Sequence, residues 1–542
     1  MSDSSLSVIR PAFFDSAGLH RLLPVVLAAF IFAAVLPGRV AFGSDPQAVQ
    51  HFNLGNKAFE SGDLSEAERE YRAALKIDPD MLGAQQNLAI TLARKGDLDG
   101  AAQELRKIVA ARPDSAEAHY NLGRVLFQQK NDKEALDQFR QAVKLKPNYP
   151  EAMNNIALLL ERSGENEAAI AEFRALIASN PGYVEARNNL GQLLAETGML
   201  DEAISQFQAA IRLRPNFSQA HQNLGLVLLK KKDEAGAEAE FRKAAVLGSA
   251  NAYLSLGILE GENGNLEAAI TAHQKAVQLM PDNPMAHFML GGGLQQRGDL
   301  DGAISQYRKA LELDPKFSSA YLHLGVVLRE KGDFKESTSA LQTAVQISPE
   351  DPEGHYQLGV TLNRVGDLNG SLAELRRAVS LKADYSQAYY GLGQTLRRMG
   401  RIKEAQAALS EVQRLHQADA RFAQANTQYN LGLGALAKGD VDAALKAFQA
   451  ALSIKPDFAE AHTNLGAILL KRGETENAIG QFRAAIDAKP EDARAYYNLG
   501  LALEKKGDPQ AAHQAFQQAL KLDPKLKEPA QKHQPSETIA GP

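Results

Sequence analysis

An all-α solenoid of fourteen stacked helix-turn-helix units is predicted by three observations on this 542-residue chain. The tripeptide Asn-Leu-Gly, or a close variant, recurs every 34 residues through most of the length. Small residues and prolines recur in the same register. The composition is dominated by Ala, Leu, Glu, Gln, Lys and Arg, all strong helix formers, while Trp is absent. Such a length would ordinarily mean several domains, but a repetitive chain grows without enlarging any single core.

The first observation sets the period. The small residue of the tripeptide falls at Gly55, Ala89, Gly123, Ala157, Gly191 and Gly225, then at Gly257, and so on to Gly432, Gly466 and Gly500. The spacing is 34 residues except for 32 before Gly257 and 39 before Gly432. Positions within a unit are numbered here so that this residue is the eighth. The second observation gives the hairpin. Position 20 is Ala or Ser in every unit, from Ala67 to Ala512, so the two helices can approach closely. Position 24 is mostly aromatic, as at Tyr71, Phe139, Phe241 and Phe516. Turns such as Gly62-Asp63, Gly96-Asp97 and Gly439-Asp440 join the helices. A proline closes eleven units, Pro79 and Pro113 among them, stopping the second helix. No unit buries its apolar face alone, so stacking is obligatory.

With this period and these signature positions, residues 48–526 resemble the tetratricopeptide-repeat family. The resemblance implies a right-handed superhelical solenoid whose first helices line a concave groove, where ligands lie. The chain as a whole divides into 1–43, an export signal or membrane anchor; 48–419, units 1–11; 420–526, units 12–14; and a disordered, polar tail at 527–542. The boundary at 419 rests on five extra residues in the join near 417–424, QADARFAQ, which has no proline. There the helix either runs on or the superhelix changes pitch. Gly291-Gly292-Gly293 is expected to weaken or kink a first helix.

The run LLPVVLAAFIFAAVL at 22–36 has the length of a signal-peptide core, and Ala41 and Gly43 precede a cleavage point before Ser44. Cleavage places the repeats in the periplasm, the cell envelope or the medium; without it the chain is membrane-anchored through this run alone. The absence of cysteine excludes disulfides, thiol nucleophiles and cysteine-based metal sites. A net charge of −5 with both signs interspersed lacks the basic stripe of a nucleic-acid binder.

At 100° per residue, positions 4, 7, 8 and 11 of the first helix face the core and positions 2, 6, 9 and 13 face the opposite way. Position 6 is Asn53, Asn87, Asn121, Asn155, Asn189, Asn223, Asn430, Asn464 and Asn498. A carboxamide donates and accepts at once, so such a row can grip the backbone of an extended peptide. It resembles the asparagine ladder in the repeat arm of O-linked N-acetylglucosamine transferases, without their catalytic domain. These nine residues are the predicted peptide-binding groove. Position 13 adds mixed charge (Glu60, Arg94, Arg162, Glu196, Lys230 and others), and position 5 has no Lys with which to clamp a carboxylate tail.

Six histidines share position 4: His51, His119, His221, His287, His355 and His462. Packed helices stand about 8–10 Å apart, whereas metal ligands gather near 2 Å, so these read as packing residues. No phosphate loop, nucleophile elbow, zinc-protease helix or dinucleotide fingerprint is present. The expectation is therefore a non-enzyme with no catalytic residue, metal or cofactor, a scaffold that binds a protein or extended peptide in its groove. The alternatives are a substrate-binding subunit for a separate enzyme such as a glycosyltransferase, and a self-associating structural protein.

Overall fold

The computed structural model describes residues 45–524 and 526; the apolar run at 22–36 and the tail beyond Leu526 lie outside the described residues. Those residues form 27 helices and no strand. They divide into two compact bodies, one ending at Lys331 and one starting at Gly332.

The N-terminal body contains α1 (Pro46–Glu60), α2 (Leu64–Ile77), α3 (Leu82–Lys95), α4 (Leu98–Ala111), α5 (Ala116–Gln128), α6 (Asp132–Leu145), α7 (Pro150–Arg162), α8 (Asn166–Ser179), α9 (Val184–Glu196), α10 (Leu200–Leu213), α11 (Ser218–Lys230), α12 (Glu234–Val246), α13 (Ala250–Glu262), α14 (Leu266–Leu279), α15 (Pro284–Arg297), α16 (Leu300–Leu313) and α17 (Ser318–Lys331). The C-terminal body contains α18 (Phe334–Ile347), α19 (Pro352–Val365), α20 (Leu368–Leu381), α21 (Ser386–Arg398), α22 (Ile402–Ala437), α23 (Val441–Ile454), α24 (Ala459–Lys471), α25 (Thr475–Ala488), α26 (Ala493–Lys506) and α27 (Pro509–Leu522).

The hairpins form for local reasons. Gly96 closes α3 in the left-handed region at φ 86°, and Asp97 then caps α4 by accepting the Gly100 N–H at 2.9 Å. A Cβ would strain that backbone, and an aspartate oxygen satisfies a donor that a helix start leaves orphaned. Two hairpins place lysine in the left-handed position, Lys130 at φ 60° and Lys232 at φ 63°, and of these only the second is followed by a capping aspartate, Asp233. Within the hairpin, position 8 meets position 24. A Cβ on Gly225 would stand 2.5 Å from the ring of Phe241, which is wholly buried. Position 24 departs from its aromatic or leucine character once, at His273 in α14, which is as buried as the phenylalanines it replaces. The short join before α13 works because Gly248 takes the closing role at φ 88° and Ser249 caps the next helix.

The triple glycine does not break its helix. α15 is continuous, and two of the three glycines sit at close approaches, Gly291 against Tyr307 and Gly293 against Ile270. The five-residue insertion also stays helical. α22 runs 36 residues and serves as the second helix of unit 11 and the first helix of unit 12, so one helix fewer is present than fourteen separate hairpins would have.

Candidate functional site: the row of first helices

Within each body successive first helices approach one another directly, as in α1 with α3, α9 with α11, α13 with α15, α19 with α21, and α24 with α26. No two second helices come as close among the described residues. Closer spacing on one side makes the first helices the inner row, and their outward positions form its wall.

The nine predicted groove asparagines do not form an open ladder. Asn53 and Asn430 are exposed, Asn155 and Asn464 are half-buried, and Asn87, Asn121, Asn189, Asn223 and Asn498 are buried. The helical wheel turned position 6 away from its own hairpin, but the preceding unit covers it. Asn189 donates to the Asn154 carboxamide at 3.1 Å, and Asn223 donates to Asn188 at 3.0 Å. Asn464 donates to the Tyr429 hydroxyl at 3.0 Å. In each case position 6 meets position 5 of the unit before. The pairing persists where the chemistry changes. Gln222 donates to Ser255 at 3.0 Å, the rings of Phe288 and His323 stand edge-on at 5.3 Å, and Tyr356 lies over Gly391. Positions 5 and 6 therefore form the joint between units. Asn498 is an exception: neither carboxamide atom has a partner among the described residues, since Thr463 stands at the preceding position 5.

Position 13 is likewise drawn into the joints. The Arg94 guanidinium lies 4.4 Å from the centre of the Phe59 ring and that of Arg162 lies 4.1 Å from Phe127. Lys505 donates to the Leu470 carbonyl at 2.9 Å, and Arg398 reaches the Asn363 carboxamide at 2.6 Å. Each cation sits at the carbonyl end of the preceding first helix, where the helix dipole favours positive charge.

The position 4 histidines are hydrogen-bonding braces. His119 joins Gln138 at 2.7 Å and the Pro113 carbonyl at 3.1 Å; His221, His287, His355 and His462 repeat this with position 23 of their own unit and the proline before it. His51 reaches Glu70 in the same way at 2.7 Å. No group of three metal-ligating side chains exists among the described residues.

In units 3–5 the wall carries an acidic and aromatic strip, in which the chain's own Lys146 ammonium lies 4.4 Å from the centre of the Tyr149 ring and the Arg124 guanidinium 5.7 Å from that of Tyr120. Glu117, Glu151 and Glu185 occupy position 2 in three successive units. Tyr149 sits in the field of Glu117 and Glu151, and Tyr183 in that of Glu151 and Glu185; burial and these carboxylates raise both phenol pKa values above the usual range. Tyr120 packs on Tyr149 with ring centroids 4.8 Å apart. Glu185 is paired with Arg214 at 2.8 Å, whereas Glu117 and Glu151 are exposed and enter no ion pair among the described residues. At the other end of the same helices, burial pushes the Glu161 carboxyl up to about 7, with the Glu196 carboxylate adding to the shift. Sequence reading passed over Tyr149, Tyr183 and Glu161, although the 34-residue repetition of Glu at position 2 and Tyr before the next unit was visible.

Models of the tetratricopeptide repeat match residues 52–150, 154–252 and 429–526, more than half of the chain. Further repeat models match 294–366 and 384–457. The chain belongs to the tetratricopeptide-repeat family. No curated protein matches it by sequence. Among solved structures it is similar to the Cut9–Hcn1 hetero-tetramer of APC/C, at 16% identity over 89% of this chain and 95% of that one, with a TM-score of 0.39. A tetratricopeptide repeat protein from Parabacteroides merdae matches at 19% identity over 46% of this chain and 100% of its own, with a TM-score of 0.40. YrrB, described as having an unusual peptide-binding site, matches at 26% identity over 34% of this chain and 95% of its own, with a TM-score of 0.30.

Proposed function

We propose that the chain acts by binding rather than catalysis, as a scaffold that holds an extended segment of a partner protein along its first-helix wall. The observation that carries this reading is the strip in units 3–5, where Glu117 and Glu151 are exposed beside Tyr149 and Tyr183. Exposed carboxylates in successive units suit lysine or arginine side chains, through charge-assisted hydrogen bonds. The ligand class is therefore a basic, extended peptide. Its backbone would meet exposed carboxamides such as Asn53 rather than a continuous ladder of nine. Export through the apolar run at 22–36 is part of the same proposal, and mass spectrometry of the mature N-terminus, with Ser44 as the expected first residue, tests it.

The binding test is a peptide array probed with the full chain and with Glu117→Lys/Glu151→Lys. Loss of the lysine- and arginine-rich peptides from the variant's bound set supports the strip as the site. An unchanged bound set places ligands elsewhere. Ionisation of Glu161 adds a second readout: capture of a cationic peptide should strengthen as pH rises through about 7, and Glu161→Gln should flatten that rise.

A further inference from the structure

Leucine or isoleucine at position 7 reports whether a unit has a neighbour on its N-terminal side. Leu88, Ile156, Leu190, Leu324, Leu392 and Leu499 keep between 1% and 8% of their surface exposed. Leu54, in the first unit, is 45% exposed because no preceding unit covers it among the described residues. Leu431, in unit 12, is 59% exposed although eleven units precede it in the chain. Unit 12 thus begins a new stack. The cause is α22, which at 36 residues is about 54 Å long and carries unit 12 away instead of folding it back onto unit 11.

The surface that unit 12 should have covered is also open. Tyr390, at position 5 of unit 11, is 54% exposed, and no other residue at position 5 is exposed. Asn430, at position 6 of unit 12, is exposed as well. A tyrosine at position 5 followed by asparagine at position 6 is the pair that Tyr429 and Asn464 bond with at 3.0 Å one joint later. Here the two halves of the same joint face solvent in one chain. Between them residues 416–424 are exposed on every side, though helical, with Phe422 at 48%. The side-chain contacts of this stretch are few among the described residues, Phe422 against the Phe458 ring at 5.8 Å and His416 with the Ser386 hydroxyl at 3.0 Å, so it draws little support from its neighbours.

We infer that a second copy of this chain completes the broken joint, the two copies crossing at α22 and exchanging their last three units. Each copy presents one donor half and one acceptor half, so two copies related by a twofold axis satisfy all four and leave none over. Unit 12 of one copy then stacks on unit 11 of the other, Asn430 meets Tyr390, and Leu431 is covered. The inference is independent of the peptide strip in units 3–5.

The chain has no cysteine, so introduced thiols are unambiguous. Two full-length variants, Tyr390→Cys and Asn430→Cys, are purified separately, mixed at high concentration, diluted and treated with a short bismaleimide. A covalent pair joining the two different variants is expected, and light scattering of the wild-type chain should give a dimer that Leu431→Asp weakens at least tenfold. The double variant in one chain distinguishes exchange from folding back: linkage within a single chain would show that the helix bends at 417–424 and unit 12 covers its own unit 11. That result, a monomer at every concentration, or a dimer indifferent to Leu431→Asp would each overturn the inference. Deleting residues 418–422 restores the 34-residue period and should yield a monomer of unchanged helicity.

Discussion

His273 should make the seventh unit acid-sensitive. Its ring fills the place that a phenylalanine or tyrosine fills in most units, and is 2% exposed. Neither ring nitrogen has a hydrogen-bond partner of normal geometry, and burial lowers the pKa to about 4 against a weak opposing contact with the Leu254 backbone. In the unfolded chain the imidazole takes a proton near 6.5. Between those values the unfolded unit binds a proton that the folded unit refuses, so stability rises with pH across the window. The contribution is complete above about 6.5 and is lost as pH falls to about 4. With 1.36 kcal/mol for each pKa unit, that gap corresponds to about 3 kcal/mol. A repeat protein opens locally, so the effect belongs to α13 and α14 rather than to the whole chain. Hydrogen exchange of their amides, compared at pH 7.5 and 5 after correction for intrinsic rates, should show protection falling more than in the flanking units. His273→Phe fits the cavity, because Gly257 leaves room for a ring as Gly225 does for Phe241. It should abolish the extra pH dependence and raise protection at neutral pH by removing two unpaired buried nitrogens. Equal pH sensitivity of the wild type and His273→Phe would refute the reasoning.

Gly225→Ala should destabilise by about 1–3 kcal/mol, since its Cβ meets a buried ring that has nowhere to move; urea denaturation reads the loss. Lys130→Gly and Lys232→Gly should each stabilise by about 0.5–1 kcal/mol, because the left-handed backbone penalty outweighs the entropy glycine adds to the unfolded chain. A lower melting temperature for either would count against that balance. Asn223→Ala strands the Asn188 oxygen in a buried joint and should cost about 1–3 kcal/mol, while Asn498→Leu removes a carboxamide with no partner and should be neutral or stabilising. Similar losses in both would mean that the joint bond contributes nothing.

The hairpins were legible in the sequence because their causes are local. Glycine, the capping aspartate, the small residue at position 8 and the ring at position 24 all lie within one period, and each acts on its own unit. The joints were less legible because their causes lie one period apart. A wheel drawn on a single helix turns Asn189 outward, and only the neighbouring Asn154 shows that it is covered. The insertion at 417–424 left two outcomes open from sequence, since the absence of proline and glycine permits a continuous helix without requiring it. The acidic strip was overlooked for a similar reason: Tyr183 closes one unit, Glu185 opens the next, and Glu151 belongs to the unit before.

The pairing of positions 5 and 6 constrains where a ligand can be read. A side chain that closes a joint cannot also grip a peptide without opening that joint, and the joint partner is always present at high local concentration. Asn189 and Asn223, which the sequence placed in the groove, therefore hold the solenoid in register. Position 13 is similarly committed wherever it caps the preceding helix. On the proposed function, recognition would fall to what the joints leave over: position 2, with Glu117 and Glu151, and the carboxyl of Glu161. These side chains can vary without disturbing the stack. A repeat wall of this kind keeps its curvature fixed while its ligand preference changes unit by unit, so binding-site substitutions at position 2 should alter which peptide is held while the denaturation midpoint stays within about 0.5 kcal/mol of the parent.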